Sequence, residues 1–422
     1  MISNKLIAID FGSTSISAMA AEVLDNGAVK ILSEESRVSD DVRWGIVEKP
    51  SGASFKVNEL LKLLKNSAKM SDISQVSVSV GAKSMKQISS SVSRFVGKTN
   101  VVTENLLAEM MEECERKSQQ TEITVFDVIP VSYVLDGKSM DDPVGHTAIQ
   151  ITATYNVILG NSIIKSELER CFDRTGVVLE YSPLSIDALS TVVLDIQDRE
   201  VGCALINFGA TTTTLAVYRN DVLQNLLVVP LGAKNITKDI QELGIKESDA
   251  ERLKCLKGFA MESMVDEPMY IQIASVDERN PPVKISTKFL ATIIEARLEE
   301  IMQPIFETIA NLPFSLDAGI VIAGGGAKLN NMIEFIAEKT GIYARFGDHS
   351  EWLADNTHEK FHDPKYAQLL GTILLTNEYR KEHPVEVTVD MPIKEPKIPR
   401  RKFRDKIADG FINFFNDDNK LN

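Results

Sequence analysis

The sequence contains little cysteine and no long apolar run. Four cysteines occur among 422 residues, they lie far apart, and no two of them form a CxxC pair. This spacing argues against a disulfide framework or a thiolate metal site and fits a reducing compartment. No run of about 18 apolar residues exists that could span a membrane. The apolar stretch at the N-terminus is too short for the core of a signal peptide, because it breaks at Asp10. We therefore expect a cytoplasmic protein.

Positive charge is also scarce, and it is unevenly distributed. The chain has 46 Lys and Arg against 60 Asp and Glu, a formal net charge of -14. A balance this acidic argues against nucleic acid as a partner. Seven basic residues nevertheless crowd into positions 394–406, against two acidic ones.

A repeated pattern dominates what is present. IDFGSTSISAMA (9–20) and INFGATTTTLAV (206–217) share an apolar strand, an Asp or Asn, Phe-Gly and a run of small hydroxyl residues. Two copies of one unit about 200 residues apart predict a duplicated α/β fold with two facing halves. The alternative is two unrelated hairpins that share a Phe-Gly turn.

Each copy predicts a phosphate-binding turn. A tight turn made by glycine and hydroxyl residues points N–H and O–H groups into one concavity, which suits phosphate oxygens. Asp10 ends the first strand and could hold Mg²⁺ through water, since this ion favours carboxylates and retained waters. Together the two turns could hold a nucleotide's β- and γ-phosphates. The candidate residues are Asp10, Gly12, Ser13, Thr14, Ser15, Asn207, Gly209, Thr211 and Thr212.

A third element follows at 319–341, where an apolar strand leads to three glycines and an amphipathic helix. Gly324, Gly325 and Gly326 would let the backbone approach a flat adenine or ribose closely. The alternative is an ordinary strand–helix turn without a ligand.

In this order the three elements resemble the actin, Hsp70 and sugar-kinase superfamily. Within it the chain resembles the FtsA family of division proteins, which link filaments of tubulin-like FtsZ to the membrane. About 20 loop-like residues (36–54) leave no room for the insertion of actin and MreB, and 127–145 resembles the signature of FtsA's relocated subdomain. SDAERLKCLKG (248–258) resembles the family's adenosine-contacting helix, which implies nucleotide contacts for Glu251, Arg252 and Lys254, and we add Gly232 to that set.

The resemblance implies a duplicated actin-like (ribonuclease H-like) two-lobed fold with a cleft that holds ATP and magnesium. The first lobe would span 1–83, completed by 163–200 and about 365–385, with the relocated small α+β subdomain at 84–162. The second lobe would span 201–364, with a small subdomain at about 233–300. A proline-rich linker (386–400) and an amphipathic helix (401–416) would follow.

One departure from the superfamily concerns hydrolysis. Asn207 stands where most members have Asp, which keeps a coordinating oxygen and removes the charge that would help to bind metal. ATP binding is expected, with weak or absent ATPase activity. Asp187 lies near the position of a water-orienting residue in related ATPases and is the one catalytic candidate, although an ordinary helix carboxylate is the alternative.

The tail predicts membrane attachment. Aromatic and aliphatic residues from 403 to 415 fall on one helical face with basic neighbours, a pattern typical of helices lying at a lipid interface. A helix packed onto its own domain is the alternative. The candidate membrane residues are Arg401, Lys402, Phe403, Arg404, Ile407, Phe411, Phe414 and Phe415.

The expected partners are therefore an anionic membrane surface at the septum, the C-terminal peptide of FtsZ, other copies of the chain and other divisome proteins. The rival interpretations are a PilM-like pilus-assembly protein and a small-molecule kinase of the same superfamily. HEKFH (358–362) matches a zinc-protease pattern by letter, but its polar surroundings predict a surface loop.

Overall fold

The computed structural model describes residues 5–97, 100–277 and 279–383. The first lobe contains three long strands, a short hairpin, a helix and one further strand before the chain leaves it. These are β1 Lys5–Phe11, β2 Ser15–Val23, β3 Val29–Val38, β4 Val42–Arg43, β5 Ile46–Val47, α1 Pro50–Ser67 and β6 Gln75–Val78.

An inserted unit (84–162) follows, and then the chain returns to the first lobe. The inserted unit contains β7 Lys86–Phe95, α2 Glu104–Ser118, β8 Ile123–Leu135, β9 Lys138–Met140 and β10 Gln150–Asn161. The return consists of α3 Ile163–Phe172, β11 Val178–Tyr181, α4 Ser185–Val193 and α5 Ile196–Val201.

The second lobe repeats the strand pattern of the first and is followed by a helix that returns to lobe one. The elements of the second lobe are β12 Cys203–Phe208, β13 Thr213–Arg219, β14 Val222–Val229, α6 Ala233–Gln241, α7 Glu247–Lys257, β15 Tyr270–Ile273, β16 Val283–Ser286, α8 Thr287–Ala310, β17 Ile320–Ala323, α9 Met332–Thr340 and β18 Ala344–Phe346. The helix that returns to the first lobe is α10 Ala367–Glu382. Short 3-10 turns lie at Glu262–Met264, Gly325–Lys328, Ser350–Trp352, Glu359–His362 and Pro364–Tyr366.

The two main sheets have the same topology. The first runs β11-β6-β1-β2-β3 and the second β18-β17-β12-β13-β14, each in that order. In both, the central strand pairs antiparallel with the next strand and parallel with a later one. The central strands are buried almost throughout, as expected for strands covered on both faces. The duplication predicted from the sequence is therefore present in the fold.

Local sequence explains how several helices begin. Pro50 occupies the first turn of α1, where its missing N–H costs no hydrogen bond. Thr103 caps α2 by accepting a hydrogen bond from the Leu106 N–H, and Ser286 caps α8 in the same way. One apolar core spans the first lobe and one face of the second sheet, a second core fills the rest of the second lobe, and the inserted unit has a core of its own.

The helix α10 returns to the first lobe and packs on α4 and β1. Their approach is close, because a Cβ atom on Gly371 would lie 1.7 Å from the carbonyl oxygen of Ala188. Only glycine fits at this crossing. The contact fixes the start of α10 beside the end of β1.

The inserted unit contacts the second lobe as well as the lobe that carries it. Asn156 in β10 donates a hydrogen bond from Nδ2 to the carbonyl oxygen of Leu223 at 2.8 Å. Gln87 in β7 donates from Nε2 to the carbonyl oxygen of Gln224, also at 2.8 Å. Both acceptors belong to β14, so the inserted unit bridges the two lobes.

One sequence expectation of local structure differs from the fold. Residues 36–54 are not simply a loop, because they contain the β4–β5 hairpin and the start of α1. Residues 185–201 form two helices, since Leu194 is extended and Asp195 caps the separate helix α5. HEKFH lies in a 3-10 turn, and no group of three metal-binding side chains occurs within the described part of the chain.

Candidate functional site

A cleft of about 1170 Å³ lies between the lobes, where the central strands β1 and β12 end. Residues from both halves of the chain form its walls. All but two of the sixteen nucleotide-binding candidates line it; the exceptions are Gly232 and Arg252. The volume is at the upper end of the range usual for small-molecule sites.

The first turn (11–15) joins β1 to β2. The strands pair up to Phe11 and Ile16, which leaves four residues between them. A Cβ atom on Gly12 would lie 2.8 Å from the carbonyl oxygen of Ser15, so the turn closes too tightly for any side chain there. The hydroxyl residues of the turn line the cleft, where they can donate to an anion.

The second turn (208–212) repeats this geometry between β12 and β13. A Cβ atom on Gly209 would lie 2.9 Å from the carbonyl oxygen of Thr212. The turn is supported from behind by Gly232, whose Cβ would lie 2.5 Å from the carbonyl oxygen of Gly209. Gly232 therefore supports the turn without lining the cleft.

The two turns touch each other across the cleft. The Oγ of Ser13 and the Oγ1 of Thr211 are 2.6 Å apart and share a hydrogen bond. Two hydroxyl groups from opposite lobes therefore converge on one point, where a phosphate group could accept from both.

Asp10 lies one residue before the end of β1, next to the first turn. Burial raises the pKa of its carboxyl to about 6. Gln368, in the first turn of α10, donates from Nε2 to Oδ1 of Asp10 at 2.7 Å and to the hydroxyl of Ser79 at 3.1 Å. No Lys or Arg in the described ranges forms an ion pair with Asp10. A half-buried carboxylate that borders the cleft without a cationic partner fits a site for a hydrated cation.

A polar cluster connects α7 to α6 on the second-lobe side of the cleft. Lys254 donates to Glu251 at 2.7 Å, to Thr237 at 2.8 Å and to the carbonyl oxygen of Ala233 at 3.1 Å. Burial alone would raise the pKa of Glu251, but hydrogen bonds from Lys254 and Thr237 outweigh it and lower the pKa. Glu251 thus presents an ionised acceptor suited to sugar hydroxyls. Arg252 points elsewhere and pairs with Asp249.

The glycine turn (324–326) follows β17 and faces this cluster. Gly324 has a φ of +88°, and its Cβ would lie 2.5 Å from Oδ1 of Asn207. Gly326 lies against the ring of Phe208, where a Cβ would come within 2.5 Å of a ring carbon. Gly325, by contrast, has no neighbour within 4 Å of its Cβ position and borders open cleft. Within this turn, a side chain would therefore fit at Gly325 but not at Gly324 or Gly326.

Asp187 is not brought together with the cleft residues. On α4, Ser185 and Leu189 line the cleft, and Asp187 lies about half a turn away from Ser185. Burial, followed by the nearby Asp187 carboxylate, raises the pKa of Tyr181, so Asp187 lies within electrostatic range of that residue. The geometry gives this residue no contact with the cleft.

Sequence reasoning missed two parts of the site. Gln368 and Ser79 lie far from Asp10 in the sequence, and no local pattern marks them. The β4–β5 hairpin contributes Gly45 and Val47 to the cleft. Its signal was weak: Val42 precedes and Ile46-Val47 follow the Trp44-Gly45 turn.

The membrane-binding candidates at 401–415 lie outside the described residues. Within the residues that the structure describes, no helix is long and apolar enough to cross a membrane.

Comparison with known proteins gives two matches to family models. The model described as "Cell division protein FtsA" matches residues 204–371, and the "SHS2 domain inserted in FTSA" matches residues 82–159. Curated relatives named cell division protein FtsA cover most of the chain. The protein of Borreliella burgdorferi is 27% identical over 90% of this chain and 93% of its own length, and that of Neisseria meningitidis is 23% identical over 86% and 88%. That of Escherichia coli K12 is 26% identical over 78% and 80%.

Solved structures with a similar fold include the PilM–PilN type IV pilus biogenesis complex, with a TM-score of 0.61 and 14% identity over 88% of this chain and 98% of that one. MreB5 of Spiroplasma citri bound to ADP follows with a TM-score of 0.56 and 12% identity over 90% and 98%. At these identities the likeness concerns the fold alone. The actin-like fold expected from the sequence is confirmed.

Proposed function

Because the chain belongs to the FtsA family of cell division proteins, we propose that it is an ATP-binding, actin-like protein that tethers FtsZ filaments to the cytoplasmic membrane and self-assembles at the septum. The observation that carries ATP binding is the pair of turns that converge through Ser13 and Thr211 beside the half-buried carboxylate of Asp10. The ADP-bound state of the MreB5 structure supports the same use of the fold.

Each part of the cleft has a role in this proposal. The hydroxyl residues of both turns bind phosphate oxygens, and Asp10 holds magnesium through water. Glu251, positioned by Lys254, accepts from the ribose, while the glycine turn lies against adenosine. When bound, magnesium neutralises phosphate charge, which the acidic side chains of the cleft cannot do.

Thermal unfolding tests nucleotide binding. ATP with magnesium should raise the melting temperature, because it binds the folded state preferentially. Gly325→Arg should abolish that rise and leave the fold intact, because its position opens into the cleft. Gly97→Arg is the matched control, since Gly97 also has no neighbour within 4 Å and lies outside the cleft. A rise that persists in Gly325→Arg would contradict the nucleotide site.

The membrane part of the proposal rests on the sequence of the tail. Five apolar residues on one face at 403–415, with basic neighbours, suit an anionic lipid surface, to which each basic residue adds roughly 1 kcal/mol. A chain ending at residue 400 should remain folded, respond to ATP, and lose sedimentation with anionic vesicles. Phe411→Glu with Phe414→Glu should abolish sedimentation even at low salt. Equal sedimentation of the truncated and full chains would remove the tether from the proposal.

For the FtsZ peptide we propose the outer surface of the small subdomain at about 233–300. Six large apolar side chains are exposed there, namely Leu256, Met264, Met269, Tyr270, Val276 and Phe289. Lys284 lies over the Tyr270 ring at 4.2 Å and adds a positive charge for an acidic peptide. Tyr270→Ala with Phe289→Ala should weaken binding of a labelled FtsZ tail peptide. Phe55→Ala, which removes an exposed ring from α1, should not.

A role in pilus assembly is the alternative function, and peptide-binding assays of the same kind can test it. The similarity to the PilM–PilN complex concerns fold, whereas the matched family models describe division proteins. Binding of a pilus-assembly peptide, with no binding of the FtsZ tail, would favour the alternative.

A further inference from the structure

The β4–β5 hairpin has an unusual residue in its turn. Trp44 and Gly45 connect the two strands with φ values of 53° and 76°. Two-residue turns with both φ values positive favour Asn, Asp and Gly. The β13–β14 turn of the second lobe follows that preference with Asn220 and Asp221 at 53° and 54°. A bulky side chain in this conformation costs roughly 1–2 kcal/mol, so surrounding contacts must hold Trp44 in place.

Those contacts come from three directions, and we call residues 42–47 the Trp44 hairpin. The Trp44 carbonyl oxygen accepts from the Lys83 N–H at 3.0 Å. The centroid of the Trp44 ring lies 3.4 Å from Nζ of Lys83 and 3.9 Å from Cζ of Arg43. A Cβ atom on Gly45 would lie 1.7 Å from the carbonyl oxygen of Gly81. The hairpin is therefore fixed on the wall of the first lobe.

The third contact crosses to the second lobe. The Trp44 N–H donates to Oγ1 of Thr211 at 3.1 Å, and the same oxygen lies 2.6 Å from Oγ of Ser13. A threonine hydroxyl has one proton and two acceptor sites. Once Trp44 occupies an acceptor site of Thr211, the Thr211 proton is available to point into the space between the two turns.

We propose that the Trp44 hairpin positions the Thr211 hydroxyl as a donor to the terminal phosphate of a nucleoside triphosphate, and thereby sets the preference for triphosphate over diphosphate. The proposal depends on a chain of hydrogen bonds across the cleft, which joins the Trp44 N–H, Thr211 Oγ1 and Ser13 Oγ. With a diphosphate, Thr211 keeps its bond to Ser13. With a triphosphate, the terminal phosphate replaces Ser13 as the acceptor, and the Trp44 N–H strengthens the new bond through cooperative polarisation. The inference rests on the proposed nucleotide function.

The test compares dissociation constants for ADP and for the non-hydrolysable triphosphate AMPPNP, both with magnesium, by calorimetry on the full chain. Gly45→Ala must push the hairpin away from Gly81 and withdraw the Trp44 N–H from Thr211. AMPPNP should then bind roughly tenfold more weakly, the worth of one hydrogen bond to a charged group, while ADP changes little. The matched control is Gly27→Ala, since Gly27 has a φ of +84° in another hairpin and no neighbour within 4 Å. It carries similar backbone strain and should leave the ratio unchanged.

A double-mutant cycle identifies Thr211 as the mediator. Thr211→Val removes the hydroxyl, and in that background Gly45→Ala should have no further effect on AMPPNP, because coupled residues are not additive. Thr211→Ser should restore the wild-type ratio. Additive effects of Gly45→Ala and Thr211→Val would overturn the proposal.

Trp44→Gly provides a second route if Gly45→Ala does not fold. Glycine accepts the positive φ without strain and loses the ring that anchors the hairpin, so the AMPPNP-to-ADP preference should again decrease, by a smaller factor. An unchanged ratio in a variant that still binds both nucleotides would refute the role of the hairpin and leave nucleotide binding intact. Failure of the wild-type chain to bind either nucleotide would refute both.

Discussion

The first and second turns differ in charge although their backbones are nearly the same. Each has a glycine whose Cβ would lie 2.8 or 2.9 Å from the carbonyl oxygen three residues later. Each occupies the same place in the same sheet topology. Yet the first strand carries a half-buried carboxylate, Asp10, one residue before its end, and the second carries a neutral amide, Asn207, at the matching position.

The difference indicates that the duplicated halves divide their work. In the proposed nucleotide site, the first lobe would supply the carboxylate of Asp10 for the metal, and Gln368 of α10 holds that carboxylate by a hydrogen bond. The second lobe would supply Asn207, which lies against Gly324 and has an uncharged oxygen. Both turns would bind phosphate in this proposal, but only the first lobe has a carboxylate at this position. The following four experiments test this division.

The largest effect expected is on pH dependence without metal or nucleotide. Asp10 keeps its proton in the folded protein up to about pH 6, against 3.8 for the ordinary carboxyl. Stability from this group is therefore present below pH 4 and is lost as the pH rises to 6, by at most about 3 kcal/mol. Urea unfolding in EDTA should show this loss for the wild type relative to Asp10→Asn, in which position 10 does not titrate. Parallel pH profiles for the two proteins would contradict the half-buried, unpaired state of Asp10.

Next in size is the loss of metal-dependent binding in Asp10→Asn, which makes the first turn as neutral as the second. The magnesium complex of ATP should bind roughly 10–100-fold more weakly, as for other residues that support a metal through a second layer of contacts. ATP in EDTA should bind no more weakly than to the wild type, since a repulsive charge has been removed. Calorimetry with and without magnesium measures both. An equal loss in the two conditions would mean that Asp10 acts on the turn rather than on the metal.

Asn207→Asp should remove the asymmetry with a smaller cost. A second partly buried carboxylate without a cation should lower the metal-free free energy of unfolding by about 1–2 kcal/mol. It should also raise phosphate release from ATP, which we expect to be weak or absent in the wild type. The double variant Asp10→Asn with Asn207→Asp keeps the total charge and serves as the control. Brisk phosphate release by the wild type would show that Asn207 does not limit hydrolysis.

The smallest effect expected is the difference between Gly12→Ala and Gly209→Ala. Both place a Cβ against a carbonyl oxygen at nearly equal distance, so each should destabilise by about 1–3 kcal/mol. The two losses should agree within about 0.5 kcal/mol, as measured by urea unfolding. A larger difference would mean that the two turn backbones respond differently to an added Cβ atom.

Much of this molecule was predictable because its signals are local. The FG turns, the strand that leads to Asp10 and the strand–glycine–helix pattern at 319–341 each lie within a single stretch of 23 residues or fewer. Their recurrence about 200 residues apart carried the prediction of a duplicated fold, which the two sheets confirm. The placement of most turn residues along one cleft follows from that topology.

The missed features depend on contacts between distant segments. Gln368 reaches Asp10 across 358 positions, and the Trp44 turn is held in place by Lys83, Gly81 and Thr211. No local pattern encodes such partners, and Trp-Gly is a weak turn signal beside Asn-Gly. The side of α4 on which Asp187 lies was likewise decided by the packing of the whole helix.

The inserted unit joins the lobes in a way that has a mechanical consequence. The chain enters the unit from the first lobe and returns to it, but Asn156 and Gln87 donate hydrogen bonds to carbonyl groups of β14 in the second lobe. Any rotation of one lobe against the other must break these two hydrogen bonds or move the inserted unit as well. Movement at the cleft is therefore coupled to the four-stranded sheet of the inserted unit.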